Sequence, residues 1–299
     1  MKSMFKWTAL AVAACLPFSA NAHRAWMLPS ATVVSGDNTW VTFDAAVSND
    51  LFYFEHFPLQ LEGIGKPLVM APRGPQAADG KPAPAPMRRP ANKLQVFKPD
   101  GSVGEVQNGA IGRYRTTFDL EIKEKGTYKL AVASSGLSAS WKEGTENKRW
   151  MGTAEDFAKQ VPKDAKDLVV RQSNNRMEVF VTSGAPTDTV LKTTGVGLEL
   201  APVTHPNDLF AGEQAEFALL IDGKPAQGVD VVLIPGGNRY RDETGEINLK
   251  TDDNGTFKVT WPAAGMYWLE AEYSSKEGVV KPASERRAVY SATFEVLPQ

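Results

Sequence analysis

Three histidines are the main candidates for chemistry, and because they are so few, each can be considered individually. The 299-residue sequence contains His23, His56 and His205, and Cys15 is its one cysteine. Imidazole nitrogen is a good ligand for copper, nickel, zinc and iron ions. We therefore predict that His23, His56 and His205, or two of the three, bind a divalent transition metal ion (Ni, Co, Cu, Fe or Zn).

Each histidine also has a purely structural interpretation. His56, between Glu55 and Phe57, could be a partly buried ring that hydrogen-bonds to the backbone. His205 lies in the segment 204–208, whose Thr, Asn and Asp residues are typical of a turn. No HxH, HExxH or CxxC spacing is present, so the residue pattern leaves both interpretations open.

The N-terminal segment 1–22 has the pattern of a cleavable signal peptide. Two lysines precede an apolar run of ten residues at 7–16, and Ala-Asn-Ala at 20–22 is an A-x-A cleavage site. The run is too short to span a bilayer as a helix. Cleavage would make His23 the first residue of a secreted chain without cysteine. The alternative is lipidation at Cys15, because Val12-Ala-Ala-Cys15 loosely resembles a lipobox.

Cleavage before His23 would change what that residue can bind. A free N-terminal histidine chelates a metal through its amine and through Nδ1 of its ring, and both are borderline nitrogen donors. A second imidazole, from His56 or His205, would complete a three-nitrogen site like the histidine brace of copper proteins.

The segments that must position these residues have the sequence pattern of β-strands. In the segment 39–47, alternation places Trp40 and Thr42 on one face and Val41 and Phe43 on the other. Gly, Asn and Asp turn residues separate this run from others rich in β-branched and aromatic types, at 94–97, 114–122, 127–133, 177–182, 214–221, 229–234, 256–260, 266–273 and 288–296. Strands at this spacing without long alternating helices predict β-sandwiches.

We predict a mainly β protein of two sandwich domains, at 23–197 and 198–299. One short helix is expected after Thr153, because Thr153-Ala-Glu-Asp156 resembles a capping box and Pro162 ends the run. We expect an irregular, partly helical insertion near 141–170 in the first domain.

The segment 66–93 has a different composition and is predicted to be a long loop. Seven of its 28 residues are proline and six are basic, and Asp79 is its only acid. One interpretation is a solvated, protease-sensitive loop. The other is a lid that attracts an anion, because loops of this length are often functional.

Several functional classes receive no support from the sequence. The formal net charge of −2 does not favour nucleic acid as a partner. G-x-S-x-G and Walker A motifs are absent, and cleavage would remove the only cysteine. We therefore do not predict an enzyme, and we expect most of the aromatic residues of the first domain to be core.

The sequence resembles a periplasmic domain-of-unknown-function family that is often labelled the periplasmic component of a cobalt/nickel ABC-type uptake system. The resemblance rests on four segments, which are His23-Arg-Ala-Trp-Met-Leu-Pro-Ser30, Leu198–Gly212, the hairpin Asp222-Gly-Lys-Pro225 and the turn Thr-Asp-Asp-Asn-Gly at 251–255. The segment 49–58 is similar to a subgroup associated with TonB-dependent uptake genes, and the last hundred or so residues resemble Ig-like or carboxypeptidase-regulatory-like sandwiches.

The resemblance implies a compartment and a theme. It implies a periplasmic protein that binds a transition metal, with nickel, cobalt or iron as the candidates, or a chelate of such a metal. The protein would serve uptake by a membrane transporter or a TonB-dependent receptor system. Two alternatives remain open. One is a non-catalytic module that docks on such a membrane protein without a metal site of its own, and the other is a copper protein with a histidine brace at His23.

Overall fold

The computed structural model describes residues 23–65 and 91–299, and this part of the chain is mainly β. The predicted signal peptide at 1–22, with Cys15, lies outside the described residues, as does most of the loop predicted at 66–93. No helix within the described ranges is long and apolar enough to span a bilayer.

The described part of the segment 24–183 contains eleven strands and one α-helix. They are β1 (Arg24–Pro29), β2 (Val33–Val34), β3 (Thr39–Ser48), β4 (Phe57–Pro58), β5 (Leu94–Phe97), β6 (Val103–Gly104), β7 (Gln107–Ile111), β8 (Thr116–Ile122), β9 (Gly126–Glu143), β10 (Glu146–Gly152), α1 (Ala154–Gln160) and β11 (Lys166–Ser183).

The second half continues with shorter strands and two 3₁₀ turns. The turns are Thr189–Leu191 and Asn238–Tyr240, and the strands are β12 (Leu198–Pro202), β13 (Gln214–Ile221), β14 (Lys224–Pro225), β15 (Asp230–Pro235), β16 (Ile247–Lys250), β17 (Thr256–Thr260), β18 (Gly265–Ser275) and β19 (Glu285–Val296).

A ten-stranded sheet forms the centre of the fold, and two smaller sheets pack against different parts of it. Its order is β16-β15-β18-β19-β11-β9-β5-β6, with β10 added to β9 and β2 to β11. The sheet of β1, β3, β4, β7 and β8 covers one part, and the buried side chains between them include Phe43, Phe118 and Leu130. The sheet of β12, β13, β14 and β17 covers the other part around Phe217 and Phe294. The prediction of a mainly β, sandwich-type fold is confirmed.

One sheet passes through both predicted halves. Strand β19 pairs in parallel with β11, from Arg171 opposite Glu285 to Val179 opposite Thr293. The predicted boundary at 198 coincides with the start of β12, which opens the last small sheet. Backbone pairing therefore joins the segments on either side of that boundary.

The predicted alternation in β3 and the predicted helix cap are both confirmed. Val41 and Phe43 are fully buried, whereas Trp40 is 41% exposed. Helix α1 begins after Thr153, whose side chain accepts a hydrogen bond from the backbone N–H of Asp156. A short polar side chain at this position satisfies an N–H group that has no partner within the helix.

The segment 141–170 is more extended than its sequence suggests. Strands β9 and β11 are each 18 residues long and pair antiparallel into an arm that β10 widens. Only the seven residues of α1 are helical there. The expectation of an irregular helical insertion was therefore too broad, because pairing between strands distant in the chain keeps most of this segment extended on either side of the helix.

Candidate metal-binding site

The structure brings two of the three candidate histidines together. The imidazole rings of His23 and His56 meet edge to face, with their centroids 4.4 Å apart and an interplanar angle of 80°. The ring of Phe57 lies beside both, with its centroid 5.7 Å from that of His23 and 6.2 Å from that of His56. The pair therefore has an apolar flank.

Pairing around the end of β3 explains why the two histidines meet. At Val47, β3 is paired with Ala25 of β1 on one side and with Phe57 of β4 on the other. His23 directly precedes β1 and His56 directly precedes β4. Because β1 and β4 both run antiparallel to β3, their preceding residues emerge at the same end of it.

Solvent can reach both rings. His23 is exposed, and the side chain of His56 is 25% exposed. Glu55, beside it, is 26% exposed, with Oε1 3.9 Å from Nε2 of His56. An ion could therefore reach the pair directly from water, without opening of the sandwich core.

Glu55 is already engaged by the turn that presents His56. Its Oε1 accepts the backbone N–H of Asn49 at 2.7 Å and that of Asp50 at 3.1 Å. The amide nitrogen Nδ2 of Asn49 also lies 2.8 Å from Nε2 of His56. Hydrogen bonds between the two ends of the loop 49–56 therefore hold it closed next to the ring of His56.

The base of the same loop rests on a buried tryptophan. Nε1 of Trp26 donates a hydrogen bond to Oγ of Ser48 at 2.8 Å, and Ser48 in turn donates to the carbonyl oxygen of Asp50 at 2.6 Å. Phe52 packs edge to face on Trp26, with ring centroids 5.4 Å apart. Phe52 has φ of 60°, a left-handed conformation that is rare for a bulky residue. The packing on Trp26 therefore holds a strained backbone position.

A loop from the second half also contacts this region. Arg239 lies over the ring of Tyr53, and Gly236 approaches Phe52 so closely that a Cβ on it would be 3.1 Å from the ring. Arg24, next to His23, forms an ion pair with Glu246 at 3.5 Å. The loop 236–246 therefore contacts both β1, which follows His23, and the loop 49–56, which contains His56.

His205 is not part of the pair. The backbone N–H of Asn207 donates to its Nδ1 at 3.1 Å, so the neutral ring carries its proton on Nε2. Nε2 lies 3.0 Å from Oγ1 of Thr127, which is also 3.0 Å from Oγ1 of Thr182. Burial lowers the pKa of His205, which keeps the ring neutral. Both ring nitrogens are thus used within the fold.

The site has fewer protein side-chain ligands than a closed metal site requires. Within the residues that the structure describes, no group of three or more His, Cys, Asp or Glu side chains could hold a metal ion. A third strong donor must then come from elsewhere, and the predicted cleavage after residue 22 would supply the α-amine of His23. Two imidazoles and one amine fit a nitrogen-preferring ion such as Cu(II) or Ni(II).

Sequence reasoning identified the histidines but not the residues that hold them. Arg239 acts through a contact with a segment far away in the chain, which no local pattern indicates. Asn49 and Glu55 contact each other and His56 within one irregular loop, where side-chain partners do not follow from spacing alone. The one available signal was Asn49-Asp50 after a strand, because Asn and Asp favour turns that bond their own backbone.

Comparison with known proteins gives a family and no annotated relative. The model of the family described as "Domain of unknown function (DUF4198)" matches residues 20–275. No curated protein matches the chain.

Proposed function

The chain belongs to the DUF4198 family, and on that premise we propose that it is a periplasmic binding or accessory protein for the uptake of a transition metal or metal chelate. His23 and His56 are the proposed metal ligands. The observation that carries the proposal is the 4.4 Å contact between their rings at an exposed edge of the sandwich.

The proposed donor set is made of nitrogen atoms. After removal of residues 1–22, His23 supplies an amine and a ring nitrogen from one residue, and His56 supplies a second imidazole. Ca²⁺ and Mg²⁺ prefer oxygen ligands, and Glu55, the nearest carboxylate recorded at His56, accepts two backbone N–H groups. The set therefore favours nickel, copper, cobalt or zinc over calcium and magnesium.

An incomplete, exposed donor set also suits transfer better than storage. Three nitrogen donors leave at least one position open on a four-coordinate ion, as in sites that exchange a ligand. A partner or a chelating molecule could occupy that position while the ion is passed on. We propose a membrane transporter or a TonB-dependent receptor system as the recipient.

Titration calorimetry on the mature chain tests this function. The mature protein starting at His23 is titrated with Ni, Co, Cu and Zn ions, alongside a version with one alanine added before His23. The added residue places the amine in a peptide bond and removes one chelate arm. His23→Ala and His56→Ala remove the two rings, and His205→Gln serves as the matched histidine control.

We expect the extension, His23→Ala and His56→Ala each to weaken binding, with circular dichroism unchanged, and His205→Gln to bind like the unaltered chain. Affinity unchanged by all three site variants would overturn the site. No affinity for any of the four ions would favour the docking-module alternative. Tight binding confined to copper would favour the copper histidine-brace alternative over nickel or cobalt uptake.

A further inference from the structure

The arm formed by β9, β10 and β11 has one covered face and one open face. Leu137 and Ala139 of β9 are each 4% exposed and pack with Val161, which follows α1. Side chains alternate between the two faces of a strand, so Ser138 and Ser140 belong to the opposite face. Both serines are half-buried and line a groove of about 450 Å³ that is open to solvent.

Strand register places an apolar and two cationic side chains around these serines. Ser138 is paired with Met151 of β10 on one side and with Arg171 of β11 on the other, and Ser140 is paired with Arg149 of β10. Directly opposite residues of neighbouring strands lie on the same face of a sheet. Met151 is 80% exposed. The groove therefore presents hydroxyl groups between a methionine and two arginines.

Basic side chains predominate in this groove and in a cleft of about 370 Å³ that shares Arg171 with it, at the end of β18 and the start of β19. The acidic residues that line the two are Asp167 and Glu285. The basic ones are Lys142, Arg149, Arg171, Lys276, Arg286 and Arg287. The whole chain has 33 basic and 35 acidic residues, so the excess of positive charge is local.

Two of these cations are available to a partner without any rearrangement. Arg149 and Lys276 are exposed, and neither has a hydrogen bond or ion pair with another described residue. Arg171 is paired with Glu285, but their side chains are 58% and 40% exposed. Because ion pairs at this exposure are weak, a carboxylate group of a partner can exchange with Glu285 at little cost.

Strand β10 adds an open edge beside the groove. It pairs with β9 and with no other strand of the described ranges. Its seven residues offer about 23 Å of backbone, at ~3.3 Å per residue, to an extended peptide. Centred antiparallel pairing with a second copy would place Arg149 opposite Arg149 of that copy, and like charges at this position are destabilising. The edge is therefore better suited to an acidic strand than to another copy of this chain.

We propose that the open edge of β10 and the basic groove form a docking surface for an extended acidic segment of a partner protein. The backbone of that segment pairs with β10, and alternate side chains lie over the groove, where a carboxylate meets Arg149 and an apolar group meets Met151. The surface does not include His23 or His56, so its test is independent of metal binding.

Fluorescence anisotropy with a labelled peptide of alternating glutamate and valine tests the proposal on the mature chain. One control peptide has lysine in place of glutamate, and another has N-methyl groups that remove alternate backbone N–H groups. We expect only the unmodified acidic peptide to bind, and its affinity to fall as the salt concentration rises.

Variants of Arg149 test the charge of the groove. Arg149→Gln should weaken binding of the acidic peptide about 2- to 5-fold, the size of one exposed ion pair, and Arg149→Glu should weaken it further. The matched control is Arg113→Gln, which alters an exposed arginine before β8 and should leave the affinity unchanged.

Amide exchange locates the bound peptide. Protection should increase in β10 and stay unchanged in β16, the strand at the other end of the same sheet. Absence of binding by the acidic peptide, equal binding of the acidic and basic peptides, or unchanged affinity in Arg149→Glu would each overturn the proposal. Protection in β16 instead of β10 would do so as well. Phosphatidylglycerol vesicles that bind the chain when the peptide does not would make the groove a lipid surface instead.

Discussion

The guanidinium group of Arg239 lies over the ring of Tyr53, with Cζ 3.9 Å from the ring centroid. Arg239 belongs to the 3₁₀ turn Asn238–Tyr240, after β15, whereas Tyr53 lies in the loop that presents His56. Residues on either side of the predicted domain boundary thus meet beside the proposed metal site.

Replacing Arg239 should loosen the loop 49–56 without unfolding the protein. Cation–π contacts of exposed arginines contribute about 0.5–1 kcal/mol, so Arg239→Gln should lower the free energy of unfolding by about that amount. Faster amide exchange should be confined to the two loops. The matched control is Arg113→Gln, since Arg113 lies over its sequence neighbour Tyr114 at 5.9 Å. Equal effects of both variants on the exchange of the loop 49–56 would contradict the bracing role.

Removing the charge of the buried carboxylate of Glu199 should destabilise the protein strongly. Its oxygens accept the backbone N–H groups of Thr194, Gly195 and Val196, and Arg176 lies 3.2 Å away. In Glu199→Gln, an NH₂ group would face N–H donors and Arg176 would lose a buried partner. We expect a loss of about 3 kcal/mol in the free energy of unfolding, measured by urea denaturation.

The control for this change is a glutamate on the surface. Glu213→Gln alters an exposed side chain, and surface changes of this kind usually stay within about 0.5 kcal/mol. A similar loss in both variants would show that the hydrogen-bond acceptor role of Glu199 is not what stabilises the segment 194–199.

The sequence predicted the parts of this fold that depend on local pattern. Strand β3 and helix α1 follow from alternation and from the cap at Thr153, both set by neighbours within a few residues. The full length of β9 and β11 could not be predicted, because long-range pairing overrides the turn preference of the serines and glycine near Gly136. The same limit applies to the site. His23 stood out by its residue type, but its partner depends on how β1 and β4 flank β3.

His205 should make the stability of the protein depend on pH. Burial lowers its pKa in the folded state below the ordinary imidazole value of about 6.5. Below that value the unfolded chain binds the proton more readily than the folded one. Stability contributed by the neutral ring is therefore complete above pH of about 6.5 and is lost as pH falls toward the folded pKa.

Urea denaturation between pH 7 and pH 5 tests the role of His205. The unaltered chain should lose more stability over this range than His205→Gln, which has no imidazole to protonate. The control is His23→Gln, which removes an exposed histidine. It shows how much of the change in pH dependence follows from the loss of any histidine. An identical pH dependence in the unaltered chain and in His205→Gln would refute the prediction.

The segment 198–299 should be less stable alone than within the whole chain. Strand β19 lies between β18 and β11 in the central sheet. Without β11, the edge of β19 would lose the parallel ladder that ends at Thr293. The buried hydroxyl of Tyr290 would also lose Glu178 of β11, which accepts its hydrogen bond at 3.0 Å. A long unpaired edge favours association with other strands.

The isolated segment is therefore expected to melt at a lower temperature than the chain 23–299 and to form oligomers in light scattering. Amide exchange in β19 should be faster than in the longer chain, while β13, which pairs within the segment, serves as the internal reference. A monomeric fragment with an unchanged melting temperature and protected β19 amides would show that the last hundred or so residues form an independent domain, and that the shared sheet adds nothing to their stability.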